Sequence, residues 1–427
     1  MTGTLTREAF VVSRALEFFT APELELQMGL ASARWPEGLV KELIDNALDA
    51  CEAAGVAPEI VVTLARDTIT VADNGPGLPR AIFDASLDYA VRVSDKVRHV
   101  APTRGQLGNA LKCLWAVPFV ASDAQRGRVT VETPAYATAV EVTVDEVRQA
   151  PRVTVAPIAS SVRTGTRITV HWAGGASLLA GDAERDSYRG ATLVEAFARW
   201  NPHATLTVVD GGTTRTWAAT APAWRKWRPC DPTAPAWYGV EAFAALLGAY
   251  VEADRRQGRA RPLREVVATF AGLSGTQKQK AVLEAAGLSG VRVTDLVVGD
   301  RLDRAAVARL LAAMQAHARV PKPAALGVLG AAAFEAALRR AGGDEGAATY
   351  KRLDGETPDG LPYVVEAGAS RAAAYRIGLG VNWSPALAWD AVPGLWAALG
   401  AAKVEHGDPV AVFCHVACPY VPYADRG

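Results

Sequence analysis

Apolar and polar positions alternate along this chain with two distinct periods, and the longest helical one opens it. In Lys41-Glu-Leu-Ile-Asp-Asn-Ala-Leu-Asp-Ala50, Val40, Leu43 and Ala47 recur at i, i+3 and i+7, and Ile44 and Leu48 widen the stripe, which predicts a helix. A short helix and an arm precede it, including Ser13-Arg-Ala-Leu-Glu-Phe-Phe19. The period then shortens to two. Glu59-Ile-Val-Val-Thr-Leu64 and Thr68-Ile-Thr-Val-Ala72 read as strands, and a helix lies within 80–100. A second apolar helix covers Leu111 to Val117. Antiparallel strands follow at Arg128–Glu132, Ala139–Val144 and Thr166–His171, then a helix around Thr192 to Trp200 and a turn into another strand over 201–208.

A Trp- and Pro-rich connector at 222–238 marks a boundary. Residues 240 to 320 read as almost wholly helical, with turns at Gly272, Gly275 and Gly287. After Pro321-Lys-Pro323 the pattern mixes again, with strand-like runs at Tyr363–Glu366 and Val410–Cys414. The expected organisation is α+β in three parts: 1–225, 240–320 and 321–427. A length of 427 residues agrees with about two or three domains.

Composition narrows the function classes. Lys+Arg and Asp+Glu each number 45, so no global charge argues for a polyanionic partner, although a local basic groove is compatible. Five scattered cysteines point to a reducing compartment, and neither a membrane-length apolar run nor a leader is visible, so a cytosolic protein is expected. Frequent Ala, Arg and Gly suggest a bacterial source. Cys414-His-Val-Ala-Cys418 lacks a second ligand pair and sits in an apparent strand, which does not read as a zinc site; His171 and His203 read as structural.

The candidate chemistry lies in four places. On the opening helix Glu42, Asn46 and Asp49 fall at i, i+4 and i+7, one stripe carrying a carboxylate, a carboxamide and a second carboxylate. A water-activating base and an amide oxygen for Mg²⁺ need that one-turn spacing, but a solvated acidic face has it too. The strand ending at Ala72 runs into Asp73-Asn-Gly-Pro-Gly-Leu78, where a carboxylate followed by glycines either wraps a flat ligand or makes a β-turn. Thr103-Arg-Gly-Gln-Leu-Gly-Asn-Ala-Leu-Lys112 is a glycine loop feeding a helix N-terminus, an anion-binding arrangement without the P-loop or dinucleotide spacing. Arg163-Thr-Gly-Thr166 either closes a pocket or turns a hairpin. Lys278 and Lys280 beside a helix start read as solvated.

The order and spacing of these stretches resemble the GHKL ATPase superfamily. Within it the match is to the B subunit of DNA topoisomerase VI, carried by Glu42–Glu52, Asp73–Gly77, Arg104–Gly108, Asn201-Pro-His-Ala204 and His415–Pro422. The resemblance implies a Bergerat fold, helices over a mixed sheet, followed by a helix-two-turns-helix-like middle ending near Pro323–Gly330 and a transducer-like α+β domain. It implies an ATP hydrolase, the ATPase subunit of a type II topoisomerase-like complex. Its ATP-gated homodimer would act on double-stranded DNA with a separate cleaving A-like subunit, in the cytoplasm near the nucleoid.

Site roles follow from the same resemblance. Glu42 is the general base, Asn46 ligates Mg²⁺ through its side-chain oxygen, and Asp73 recognises adenine. Gly75, Gly77 and Thr166 surround the base; Lys96, Gly105, Gln106, Leu107, Gly108, Asn109 and Lys112 surround the phosphates. Three departures are visible: Ala110 stands where the family lid has a glycine; the long helix by which the family reaches its cleaving subunit is missing from this sequence; and no lysine follows Lys403, although the family places a γ-phosphate lysine just beyond the segment matching Tyr420–Asp425. That implies either an absent lysine or a longer native chain. The rival reading is a GHKL adaptor of a bacterial defence or genome-maintenance system without strand passage, and a third is a binding module that has lost hydrolysis.

Overall fold

The computed structural model describes residues 14–89, 98–104, 110–122, 126–179, 189–344, 346–387 and 393–421. Its first half comprises helices α1 (Ala21–Met28), α2 (Trp35–Ala54), α3 (Arg80–Ser86), α4 (Ala110–Ala121) and α5 (Gly190–Trp200). Their strands are β1 (Glu59–Ala65), β2 (Thr68–Asp73), β3 (Gly127–Glu132), β4 (Ala137–Asp145), β5 (Ala150–Pro157), β6 (Arg167–His171), β7 (Thr205–Asp210) and β8 (Thr213–Trp217). Among the described residues these strands form one eight-stranded sheet in the order β5-β4-β3-β6-β2-β1-β7-β8. Its pairings are antiparallel except β1 with β7, so the sheet is mixed.

Period-two burial decides which face is covered. Ile60, Val62, Leu64, Ile69 and Val71 point into a core that also takes Leu43, Ile44 and Leu48 of α2, Trp115 of α4 and Phe197 of α5. The other face carries threonines paired by hydroxyl across strands, Thr70 with Thr169 and Thr207 with Thr216, each at 3.0 Å. This is the helices-over-mixed-sheet arrangement that the GHKL resemblance implies.

The helical middle contains α6 (Val240–Gln257), α7 (Leu263–Ala268), α8 (Thr276–Ala286) and α9 (Arg304–His317), with a two-stranded ribbon of β9 (Val297–Val298) and β10 (Arg301–Leu302). A second sheet follows. Its strands are β11 (Thr349–Glu356), β12 (Pro362–Arg371), β13 (Arg376–Val381), β14 (Ser384–Pro385) and β15 (Val410–Ala417), in the order β11-β12-β15-β13-β14. Helices α10 (Ala331–Arg340) and α11 (Pro393–Ala401) accompany it. The middle helices and this sheet share one core, from Phe243 and Leu310 through Phe334 to Phe413. No described helix is long and apolar enough to cross a membrane.

Trp200, the last residue of α5, reaches from the first half into that second core, with its ring 6.0 Å from Phe334 and 5.5 Å from His415. A side chain at Gly380 of β13 would meet the Trp200 indole at 2.7 Å, so the close approach of α5 needs glycine there. His415 is fully buried between Trp200 and Trp383, and its Nε2 accepts the Trp383 N–H at 3.1 Å. Burial, with Arg104 and Lys226 adding positive potential, pushes its pKa down from 6.5 to about 3. Its Nδ1 stands 3.9 Å from Glu366, too far for a hydrogen bond, and the imidazole is neutral in the fold.

The unfolded chain therefore binds a proton below pH 6.5 that the folded chain refuses until about 3, so stability is full above 6.5 and falls as pH drops through that window. We expect His415 to account for a loss of about 2 kcal/mol between pH 6.5 and 5. Urea unfolding across that range checks it: His415→Gln, which keeps an acceptor for Trp383 but cannot titrate, should flatten the slope.

Candidate functional site

The site starts from the pairing of β2 with β6, which sets the Thr-Gly-Thr stretch against the end of β2. Asp73 donates its N–H to Thr166 O at 2.9 Å, and its Oδ1 accepts the N–H groups of Thr166 (3.2 Å) and Gly75 (2.8 Å). With Oδ1 so occupied, further acceptor capacity of this carboxylate rests on Oδ2. Burial raises the Asp73 pKa and the bonds from Gly75 and Thr166 pull it back. Gly165 has φ +75°, and a Cβ there would fall 1.8 Å from Asp73 O; this contact admits glycine alone. The hairpin alternative for Thr164-Gly165-Thr166 does not hold, because β5 pairs with β4 whereas β6 pairs with β2 and β3. The stretch closes onto Asp73.

Asn74 holds this turn to the helix layer, a role that local sequence pattern does not signal. Its Oδ1 accepts the Glu59 N–H at 2.9 Å and the Cys51 thiol at 3.4 Å, and its Nδ2 donates to Ala57 O at 3.0 Å. The Cys51 thiol, buried and beside Asp73, is pushed up to about 12, so it is a packing group and not a nucleophile. Gly75 packs on Cys51 as well, with an added Cβ only 3.2 Å from its sulfur. The Asp73 turn thus sits over the last third of α2.

Further up α2, Asn46 is exposed and the Glu42 side chain is 24% exposed, one turn apart on an open face. Lys41 Nζ lies 3.2 Å from Glu42 Oε1 and 3.0 Å from Asp45 Oδ2. Asp49, which the i, i+4, i+7 stripe grouped with Glu42 and Asn46, is corrected by the structure. It is buried, and its Oδ1 takes Arg104 at 2.8 Å. The physical reason is a neighbouring acidic stripe, Asp45, Asp49 and Glu52, again at i, i+4 and i+7, which one buried guanidinium spans.

That guanidinium is Arg104's. Its side chain is wholly buried; it bonds Glu52 at 3.0 and 3.1 Å, stands 3.7 Å from Asp45, and donates to Asn201 Oδ1. Glu52 also takes Lys226 at 2.6 Å and His203 at 3.0 Å. Burial alone would raise the Glu52 pKa, but Arg104 and Lys226 overcome it and hold the carboxyl well below the usual range. Lys226 shifts down through burial and the nearby Arg104, against the pull of Glu52. His203 reads as structural here, and burial lowers its pKa. The Asn201 amide donates on to Phe197 O (2.9 Å) and Trp383 O (2.8 Å), tying α5 to the second sheet.

No family model matches the chain. Over 74 residues it is 40% identical to the B subunit of topoisomerase VI from Archaeoglobus fulgidus, covering 16% of this chain and 12% of that protein. Its Methanosarcina mazei counterpart is 52% identical over 46 residues, 10% of this chain and 7% of its own. The chain is similar to the topoisomerase VI B subunit. The matched stretches span only 12% and 7% of those relatives' lengths. Among solved structures, the N-terminal domain of a DNA repair protein aligns with TM-score 0.38 at 12% identity, over 91% of this chain and 86% of that one. The Thermus thermophilus gyrase B ATPase domain aligns with TM-score 0.34 at 13% identity, over 93% and 80%. The short homology and the helices over a large mixed sheet together support a topoisomerase VI B-like protein of GHKL type.

Of the residues that the topoisomerase VI B-like resemblance implicates, Glu42, Asn46, Asp73, Gly75, Gly77 and Thr166 lie along α2 and the β2–β6 edge. Gly77, at φ +89°, faces Gly165 O, where an added Cβ would come within 3.4 Å. Lys112 is buried in α4, its ammonium 5.8 and 6.0 Å from the centres of the Tyr89 and Phe18 rings. Lys96, Gly105, Gln106, Leu107, Gly108 and Asn109 lie outside the described residues. In the helical middle, Lys278 Nζ donates to Gly272 O at 2.9 Å and Lys280 pairs with Glu284 at 3.7 Å, which fits the solvated reading of both.

Proposed function

We propose that this chain binds and hydrolyses ATP as a topoisomerase VI B-like GHKL protein, closing as a homodimer on double-stranded DNA together with a separate cleaving subunit. The observation that carries the nucleotide reading is the Asp73 cradle over one end of α2, with Glu42 and Asn46 on the open face toward the other. Cys51, under the cradle, is nine residues from Glu42, about 13 Å along the helix axis, comparable with the reach of a nucleoside triphosphate from base to γ-phosphate.

In this reading Asp73 accepts the adenine amino group, and Gly75, Gly77 and Gly165 let backbone approach the base. Glu42 orients the attacking water and receives its proton. Asn46 supplies an uncharged oxygen to Mg²⁺, an exposed amide suited to that hard cation. Magnesium, when bound, neutralises phosphate charge. Lys96, Gly105–Asn109 and Lys112 are proposed on the phosphate side. Similarity to the topoisomerase VI B subunit supports the dimer, the DNA and the cleaving partner, and the adaptor role without strand passage is the rival for the last step.

Calorimetric titration tests the nucleotide reading. The protein should bind ATP and discriminate against GTP, and Asp73→Asn should weaken ATP about ten- to hundredfold, the worth of a hydrogen bond to a charged group. Equal affinity for ATP in the Asp73→Asn protein would sink the assignment.

A further inference from the structure

The turn that joins β13 to β14 has an unusual backbone. Asn382 and Trp383 both hold positive φ, 48° and 64°, in a two-residue hairpin whose central positions ordinarily favour Asn-Gly. A tryptophan in that region persists only where its surroundings over-determine it. Here they do. Asn382 N–H donates to Val416 O at 2.8 Å, and its Oδ1 accepts the Cys418 N–H at 2.9 Å. Trp383 bonds His415 through its N–H and Asn201 through its carbonyl, its indole is fully buried, and Lys226 Nζ lies 4.7 Å from the ring.

The residue so aimed is Ser384. Its hydroxyl donates to Asp45 Oδ2 at 2.8 Å, 339 residues away in sequence. The same oxygen takes Lys41 at 3.0 Å, and Lys41 reaches Glu42 at 3.2 Å. Four side chains thus run in a row from the second sheet to Glu42, with Arg104 flanking Asp45 at 3.7 Å. We propose that Ser384 and Lys41 are positioning residues: the strained turn of the second sheet fixes Asp45, Asp45 fixes Lys41, and Lys41 sets the orientation of Glu42 for hydrolysis. This rests on Glu42 being the base.

One lysine bridging two carboxylates makes their geometries interdependent. When Ser384 leaves Asp45, that buried carboxylate draws Lys41 to itself and away from Glu42, because a buried charge keeps its remaining donor. The nucleotide cradle at Asp73, at the end of β2 and over the other end of α2, is unaffected. Loss therefore falls on turnover and not on binding.

Steady-state ATP turnover and nucleotide titration of the full chain test this. Ser384→Ala should lower kcat about tenfold with the ATP dissociation constant within about twofold, and Ser384→Thr, which keeps the hydroxyl, should recover most of it. Lys41→Met, at a partly buried position on α2, carries the same expectation without opening the turn, and Lys41→Arg should rescue. Unchanged kcat in Ser384→Ala and Lys41→Met overturns the inference, as does an equal loss in Ser384→Thr, which would mark a packing effect. A wild-type protein that binds no ATP or does not turn it over overturns the functional reading itself, and that result is seen before any variant is compared.

Discussion

Arg104→Met is expected to destabilise the protein by roughly 3 to 5 kcal/mol, the cost of removing one partner from a buried ionic group. Asp45, Asp49 and Glu52 would lose the guanidinium that lies among them inside α2's covered face, with Lys41 still on Asp45 and Lys226 and His203 still on Glu52. Asn201 Oδ1 would lose its donor as well. Methionine matches the length of the arginine stem, so the loss is electrostatic and not a cavity. Urea unfolding at pH 7 measures it directly. Lowering the pH should partly relieve the variant, because protonating these crowded carboxylates removes their mutual repulsion, whereas the wild type loses stability on acidification. A variant that unfolds at the wild-type urea midpoint would show that the acids are satisfied without Arg104.

Glu42→Ala is expected to lower ATP turnover by about two to four orders of magnitude, the usual contribution of a positioned general base, and to leave ATP affinity close to wild type. The side chain lies on an open face with Lys41 as its neighbour, so its removal leaves no buried charge unpaired and the fold should be unchanged. Lys41 retains Asp45. Single-turnover hydrolysis separates the outcomes: normal binding with a lost chemical step supports the base, and turnover at the wild-type rate would falsify the assignment.

The strands with a covered face were legible because their burial alternates strictly, as in β1 and β2. Those missed lacked that signal. β5 (Ala150–Pro157) carries prolines at 151 and 157 and lies at a sheet edge, β8 reads Thr-Thr-Arg-Thr-Trp and is almost wholly exposed, and β11 is a polar edge strand. The Asp73 turn and the Glu42–Asn46 pair were legible as local spacing. The role of Arg104 was not, because its partners stand 52, 55 and 97 residues away and no local period encodes such distances. One clue was present: three acids at i, i+4 and i+7 on a helix otherwise apolar on that side require a cation from elsewhere in the chain. Asp49 belongs to both stripes, and burial decided which one it serves.

The buried charges come from stretches that folding alone brings together: α2, Arg104, the Asn201–His203 corner, Lys226 in the connector and the 382–384 turn. No one of them can be exchanged singly with the corresponding piece of a relative. A chimera that swaps only the second sheet would have to bring along a serine-bearing turn of the same shape, and one that swaps α2 would have to bring its matching arginine. Shuffling of parts between such proteins is therefore constrained to blocks that carry the whole ionic set, and crossover sites placed in the helical middle, between Val240 and His317, leave that set intact on either side only when both flanks descend from the same parent.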